Sequence, residues 1–380
     1  VSEVGTVLEA LSANGPEALD RLLEESELPL HDGRRTLFLY RGEADRVELV
    51  HWIFGLESSL PFRRVEGRGD LWHLALELPS ASRIEYKILV TRGERMMLLR
   101  DPLNPRLAHD PFGANSVCAT PGYETPDWIR EDPDARPGSL HGMSLTSAAL
   151  GGERQRLRIY LPPRFDTGRR YPLLVVHDGR DYLRFAALKT VLDNLIYRLE
   201  IEPLIVALTH SPDRLAEYGA DSRHAAFLAE ELLPRLEDRF PVHHEPRFRG
   251  LMGASFGAVA SLHAAWARPG LWGRLLLQSG SFAFTDIGPN PRGPAFEPVV
   301  RFVNAFREAP GQPARRAYVS CGQYESLIYE NRSLVPVLQA TGMRIRYAEA
   351  RDGHNWENWR DRLREGLSFL FPGPLWYVYE

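Results

Sequence analysis

The chain is almost without lysine. Lys87 and Lys189 stand alone among 46 basic residues, and the rest are arginine. Cysteine is as scarce: Cys118 and Cys321 have no metal-like spacing, which excludes a disulfide framework and a zinc knuckle. Neither lysine lies in a G-K-[ST] loop, and no G-x-G-x-x-G follows a strand, so nucleotide-dependent chemistry is disfavoured. No apolar run reaches membrane-spanning length. The first residues, "VSEVGTVLEALSANG", lack the basic start and apolar core of a signal peptide, which predicts a cytoplasmic protein without a membrane partner. Net charge is −4, and the arginines are scattered among carboxylates, so no nucleic-acid footprint is present.

What remains is an ordinary globular composition, 44% hydrophobic and 25% charged, over 380 residues, enough for two domains with substantial cores. Leucines three and four apart in residues 3–26 predict two short helices. Then the period changes. "TLFLYRG", "VELVHWIFG", "LWHLALELP" and "IEYKILVTRG" are short β-branched or aromatic runs, and with "MMLLRDPLNP" they predict an all-β, immunoglobulin-like sandwich. Helices and sandwich together make a first module, residues 1–118. Residues 119–139, rich in proline and acidic side chains, have linker composition. From 140 to 380 apolar strands alternate with helix-like segments such as "YLRFAALKTVLDNLIYRL", "RHAAFLAEELLPRLEDRF" and "NWENWRDRLREGLSFLF". That alternation predicts an α/β domain with a mostly parallel sheet covered on both faces.

One stretch of this domain carries chemistry. "GLMGASFG" ends an apolar strand and opens a helix, which is the setting that Gly253-Ala254-Ser255-Phe256-Gly257 needs to act as a G-x-S-x-G nucleophile elbow. The serine is then held in a strained turn, and the N–H of Phe256 faces a developing oxyanion. A serine hydroxyl is inert without a base, and α/β-hydrolases supply the partners in the order Ser, acid, His. "RDGHNWENW" places His354 in a loop between the strand-like "MRIRYAEA" and the last helix; "YVSCGQYES" places Glu325 after the preceding strand. Asp352, two residues before His354, is the rival acid, although such close neighbours rarely face each other as required. The second oxyanion donor is expected in "LLVVHDGRDYLRF", from the N–H of Gly179 or Arg180, with His177 and Asp178 bracing the loop.

"HDGRDYL", "FLAEELLPRLEDRF", "GLMGASFGAVASLHAAWARPGLWGRLLLQSGSF", "SCGQYE" and "DGHNWENWR" together resemble the enterochelin esterase family, in the esterase D group of α/β-hydrolases. The resemblance covers most of residues 140–372, and the family's N-terminal immunoglobulin-like module resembles residues 30–118. It implies Ser255 as nucleophile and His354 as base, no cofactor and no metal. It also implies a small-molecule partner, a catecholate siderophore built as a triester of serine, taken up iron-free or as its ferric complex. Arg180, Arg184, Arg214 and Arg223, with Trp356 and Trp52, are the candidates to bind such an anionic aromatic ligand. Two alternatives stand beside this one: a feruloyl- or acetyl-type carbohydrate esterase, and a noncatalytic binding protein on a hydrolase scaffold. Because Ser255, Glu325 and His354 all lie outside the first module, small-ester turnover is expected to survive its removal.

Overall fold

Along Arg83–Arg92 every second side chain from Ile84 to Val90 is buried, the signature of a strand with one face in a core. The computed structural model describes residues 3–13, 15–285 and 293–374; residues 375–380, assigned from the sequence to the second domain, lie outside them. The chain divides into two compact units. The first is Val1–Thr125 together with two short downstream segments, Gly322–Ser326 and Ala350–Asn355; the second is the remainder.

The first unit opens with α1 (Glu3–Ala13) and α2 (Gly15–Glu25). Ten strands follow: β1 (Leu30–Asp32), β2 (Arg35–Arg41), β3 (Arg46–His51), β4 (Ser59–Pro61), β5 (Arg63–Arg64), β6 (Leu71–Glu77), β7 (Arg83–Arg92), β8 (Arg95–Leu99), β9 (Leu107–Asp110) and β10 (Gly113–Ala119). They make two sheets, β1-β2-β6-β5 and β4-β3-β7-β10-β9, with β8 also on β7. Phe38 and Tyr40 of one sheet share a core with Leu49, Tyr86 and Ile88 of the other, and the Phe38 and Tyr86 rings meet edge to face at 5.1 Å. Leu11 and Leu19 of the helices pack with Leu37 and Leu39 on β2. β10, "GANSVCA", was not among the expected strands. Its small polar residues have little strand propensity, and its pairing with β7 and the burial of Val117 and Cys118 hold it instead.

The second unit is built on an eight-stranded mixed sheet, order β11-β12-β14-β13-β15-β16-β17-β18. Its elements in chain order begin with β11 (Ser139–Ser147), β12 (Glu153–Leu161), β13 (Leu173–Val176), α3 (Gly179–Phe185), α4 (Leu188–Tyr197), β14 (Ile205–Leu208), α5 (Arg214–Tyr218), α6 (Ser222–Ala226) and α7 (Leu233–Arg239). They continue with β15 (Arg249–Ala254), α8 (Phe256–Ala267), β16 (Arg274–Gln278), α9 (Glu297–Glu308), β17 (Arg316–Gly322), α10 (Ile328–Ala340), β18 (Arg344–Ala350), α11 (Trp356–Asp361) and α12 (Leu363–Leu370). β13, β14, β15, β16 and β17 pair in parallel, whereas β11 and β12 add antiparallel to one side. β13, β14, β15 and β16 are buried along their whole length, as strands covered on both faces must be. Two helix-like segments are interrupted: α3 gives way to α4 at Ala187, whose φ is +48°, and Arg362 separates α11 from α12; a third runs on from α6 to α7 through a π-helical stretch, Phe227–Leu232. Among the described residues no helix is long and apolar enough to cross a membrane.

Tyr86 anchors the first unit: its hydroxyl donates to Asp101 at 2.6 Å and accepts from the Asn104 amide at 2.9 Å, all three buried. Burial pushes the Asp101 carboxyl up, against the pull of that hydroxyl. Tyr86→Phe should lower unfolding stability by about 1–3 kcal/mol, because two buried polar groups lose their shared partner. Thermal or denaturant unfolding checks it, and an unchanged midpoint would contradict it.

Candidate active site

Ser255 follows the last residue of β15 and precedes the first of α8, at φ +57° and ψ −121°. A non-glycine side chain in that region is strained and persists only where its surroundings enforce it. Here the enforcement is close packing. A Cβ on Gly253 would fall 2.3 Å from the backbone carbon of Gly257, so strand and helix meet where no side chain fits. The Ser255 N–H donates to the Gln278 carbonyl at 2.9 Å, and its own carbonyl accepts from Ala258 and Val259 in the first turn of α8. The N–H groups of Phe256 and Gly257 therefore open the helix without an intrahelical acceptor. The Ser255 hydroxyl stands 3.1 Å from that of Ser281.

The loop after β13 lies against this turn. A Cβ on Gly257 would sit 3.2 Å from His177 Cβ and 3.4 Å from an Asp178 oxygen. Asp178 has φ +54° and starts α3. Its carboxylate takes both oxygens to Arg214 Nε, at 2.9 and 2.8 Å, and the same guanidinium donates to the Ala254 carbonyl at 3.2 Å. Burial pushes the Asp178 carboxyl up while Arg214 pulls it down. His177 is fully buried, with Nδ1 at 3.1 Å from the Met252 carbonyl and Nε2 at 3.0 Å from His224. Burial, with His224 beside it, holds its imidazole well below the usual range. A neutral, buttressed histidine braces the loop. The Gly179 N–H is occupied by the Thr209 carbonyl at 2.7 Å, and a Cβ there would strike Leu208 backbone at 2.6 Å. Of the two amides left open by the sequence, Arg180 is the one whose N–H is not taken in this way.

In the first unit, the segments after β17 and β18 bring Glu325 and His354 together. His354 Nδ1 lies 2.7 Å from Glu325 Oε2, and Glu325 Oε1 accepts from the Gly322 N–H at 2.7 Å. A carboxylate only accepts, so Nδ1 carries a proton, and in the neutral imidazole the lone pair is then on Nε2. Glu325 is buried while the imidazole is 38% exposed. The rival Asp352 is turned elsewhere: it pairs with Arg83 at 3.2 Å and accepts from Asn355 and the Gly353 N–H, each at 2.7 Å. Burial pushes its carboxyl up to about 6, with Arg83 opposing.

The expected ligand-binding side chains fare unequally. Arg180 is exposed, and Arg184, also exposed, lies over the Phe185 ring at 5.0 Å. Trp52 is 52% exposed. Arg214 is committed to Asp178 and Ala254, and Arg223 forks onto Asp221 with a closest approach of 2.6 Å. Trp356 is a correction: its ring is buried against Tyr182 and Trp359, edge to face, so it packs the core instead of offering a stacking surface. Two residues escaped sequence reasoning. Ser281 stood in the recognisable "QSGSF" run without an assigned role, and Arg83 carried no local signal at all.

Residues 147–370 match the family described as putative esterase, more than half of the chain, and the chain belongs to that family. Among individual proteins it is similar to an iron(III) enterobactin esterase of Dickeya dadantii, 26% identical over 291 residues, covering 72% of this chain and 65% of that enzyme's length. Its fold is that of the ferric enterobactin esterase of Salmonella typhimurium, with a TM-score of 0.72, 21% identity and coverage of 91% and 95% of the two chains. A ferulic acid esterase is a more distant fold match, with a TM-score of 0.54, 19% identity and coverage of 63% and 99%.

Gly253→Ala should be far more damaging than Gly257→Ala, since the first meets backbone at 2.3 Å and the second a side-chain carbon at 3.2 Å. Melting temperature and stoichiometric labelling of Ser255 by a fluorophosphonate read both. Equal behaviour of the two variants would count against the close-packed turn.

Proposed function

We propose that this chain is a serine carboxylic ester hydrolase acting on the ester bonds of a catecholate siderophore, an enterochelin-like triserine lactone. Ser255 is the nucleophile, His354 the base and Glu325 the acid. The observation that carries the reading is the 2.7 Å bond from His354 Nδ1 to the buried Glu325, which leaves the lone pair on Nε2. Chain order supports it: the three loops follow β15, β17 and β18, and those strands belong to one run, β15-β16-β17-β18, of one sheet.

In the first step His354 Nε2 takes the hydroxyl proton as Ser255 Oγ bonds to the ester carbonyl carbon. The carbonyl electron pair moves onto oxygen, and the N–H groups of Phe256 and Arg180 are the donors for it. Collapse expels the alcohol, which takes the proton from His354. Water then attacks the acyl-serine with His354 again as base, and free Ser255 returns with a carboxylic acid. Glu325 fixes the tautomer and balances the imidazolium. Iron, where present, arrives with the substrate.

The likeness to iron(III) enterobactin esterases supports the substrate class. Exposed arginines at 180 and 184 and the exposed Trp52 suit anionic aromatic rings. The carbohydrate-esterase reading rests on a more distant likeness that covers less of the chain.

Ser255→Ala should abolish hydrolysis without unfolding, and His354→Ala should be about as damaging, because the two act as one unit. Glu325→Gln should cost less, and Asp352→Asn should act through the geometry of its loop. A Glu325→Gln enzyme as active as wild type would remove that residue from the triad. For the substrate, kcat/KM should be higher on ferric or iron-free triserine catecholates than on feruloylated sugars; the reverse order would favour the carbohydrate esterase.

A further inference from the structure

The loop that carries His354 is fastened to the N-terminal β-strands of its own unit. Arg83, the first residue of β7, is 1% exposed. Its guanidinium reaches Asp352 at 3.2 and 3.4 Å, Asn355 Oδ1 at 3.0 Å and Glu85 at 3.0 Å. Its backbone N–H donates to the Arg351 carbonyl at 2.9 Å. Positions 351, 352 and 355 thus bracket His354, and all three are bonded to one residue. Asp352 relays the hold inward through the Gly353 N–H and the Asn355 amide, each at 2.7 Å.

The acid's loop is fastened alongside it. The Tyr324 hydroxyl lies 2.5 Å from Ser82 Oγ, its carbonyl accepts from Phe54 N–H at 2.8 Å, and its N–H donates to the Asp352 carbonyl at 3.1 Å. Arg351 donates to the Ser80 carbonyl at 2.7 Å. A histidine that is 38% exposed has little packing of its own to fix its ring. Its bond to Glu325 fixes one ring nitrogen, and the backbone on either side sets where the ring stands relative to that bond.

We infer that Arg83 is a positioning residue for the reaction: through Asp352 and Asn355 it sets the backbone on both sides of His354 and so the direction of the imidazole. This rests on His354 being the base. It also reverses the expectation that small-ester turnover is independent of the N-terminal module, since Arg83 belongs to that module and acts whatever the size of the ester.

The experiment compares variants on a small p-nitrophenyl ester, below their melting temperatures. Arg83→Met should lower kcat about 10- to 100-fold, the scale of a misplacement near 1 Å, with KM nearly unchanged. Arg83→Lys, which keeps the charge but not the fork, should recover part of that loss. Should Arg83→Met fail to fold because Asp352 is left as a lone buried charge, Arg83→Met with Asp352→Asn removes both charges and takes its place. Leu49→Ala, a core variant of the same unit, supplies a matched loss of melting temperature and should leave kcat near wild type.

The deciding arm is the double-mutant cycle. In a His354→Ala background Arg83→Met should cost almost nothing further, because its effect passes through His354. An equal loss in both backgrounds, or a folded Arg83 variant with wild-type kcat beside an inactive His354→Ala, overturns the inference alone. A His354→Ala enzyme with wild-type turnover overturns the reading of the site, and the inference falls with it.

Discussion

In the second unit, the setting of Ser255 follows from how closely β15 and α8 approach. With no Cβ on Gly253, the Gly257 backbone can close over it, and the residue between strand and helix has no choice but a positive φ. The strain at Ser255 is held by that contact and by the bond to Gln278 on the neighbouring strand. Gln278 is in turn tied to Tyr182 of α3 at 2.7 Å and to the Trp359 carbonyl at 2.8 Å. The Ser279 hydroxyl beside it accepts from the Trp359 indole, and Asn331 holds Gly280 from both sides of its peptide. A turn that is costly by itself is thereby wedged between elements that cannot yield independently.

The pair in the first unit is held on a different principle. Glu325 and His354 belong to short segments with few apolar side chains, and they are placed by polar bonds. Buried ion pairs add little net stability, since desolvation offsets their attraction, but they fix geometry where packing cannot. Arg83, Glu85 and Asp352 fit that description: one cation meets two carboxylates, with amide and backbone donors completing the set.

These two principles explain what could be seen in the sequence. The elbow was legible because its requirements are local: an apolar strand, two glycines, a serine and a helix within a few residues. His354 and Glu325 were legible through order, each following a recognisable strand. Asp352 and Glu325 could be ranked only on the poor geometry of close neighbours; in the structure Asp352 is engaged with Arg83 and Glu325 with His354. Arg83 was beyond reach, because its partner lies 269 positions away and one arginine among so many carries no pattern. Trp356 misled through proximity. A tryptophan beside a catalytic loop looks like a ligand platform, yet it opens α11 on that helix's buried side against Tyr182. β11 and β10 were missed because serine, glycine and asparagine dilute the strand signal that their pairing restores.

The first unit draws segments from both ends of the chain, and this bears on the order in which the molecule can form. Residues up to 125 leave the ribosome long before Gly322–Ser326 and Ala350–Asn355 are made. Until then Arg83 has Glu85 on its own strand, while Asp352 and Asn355 do not yet exist. The N-terminal strands therefore begin with an unfinished polar interior, and closing it means joining contacts of very high sequence separation, the slowest kind to make. The unit that comes first in the sequence therefore cannot be completed before residue 355 is made, and the histidine loop is the piece that completes it.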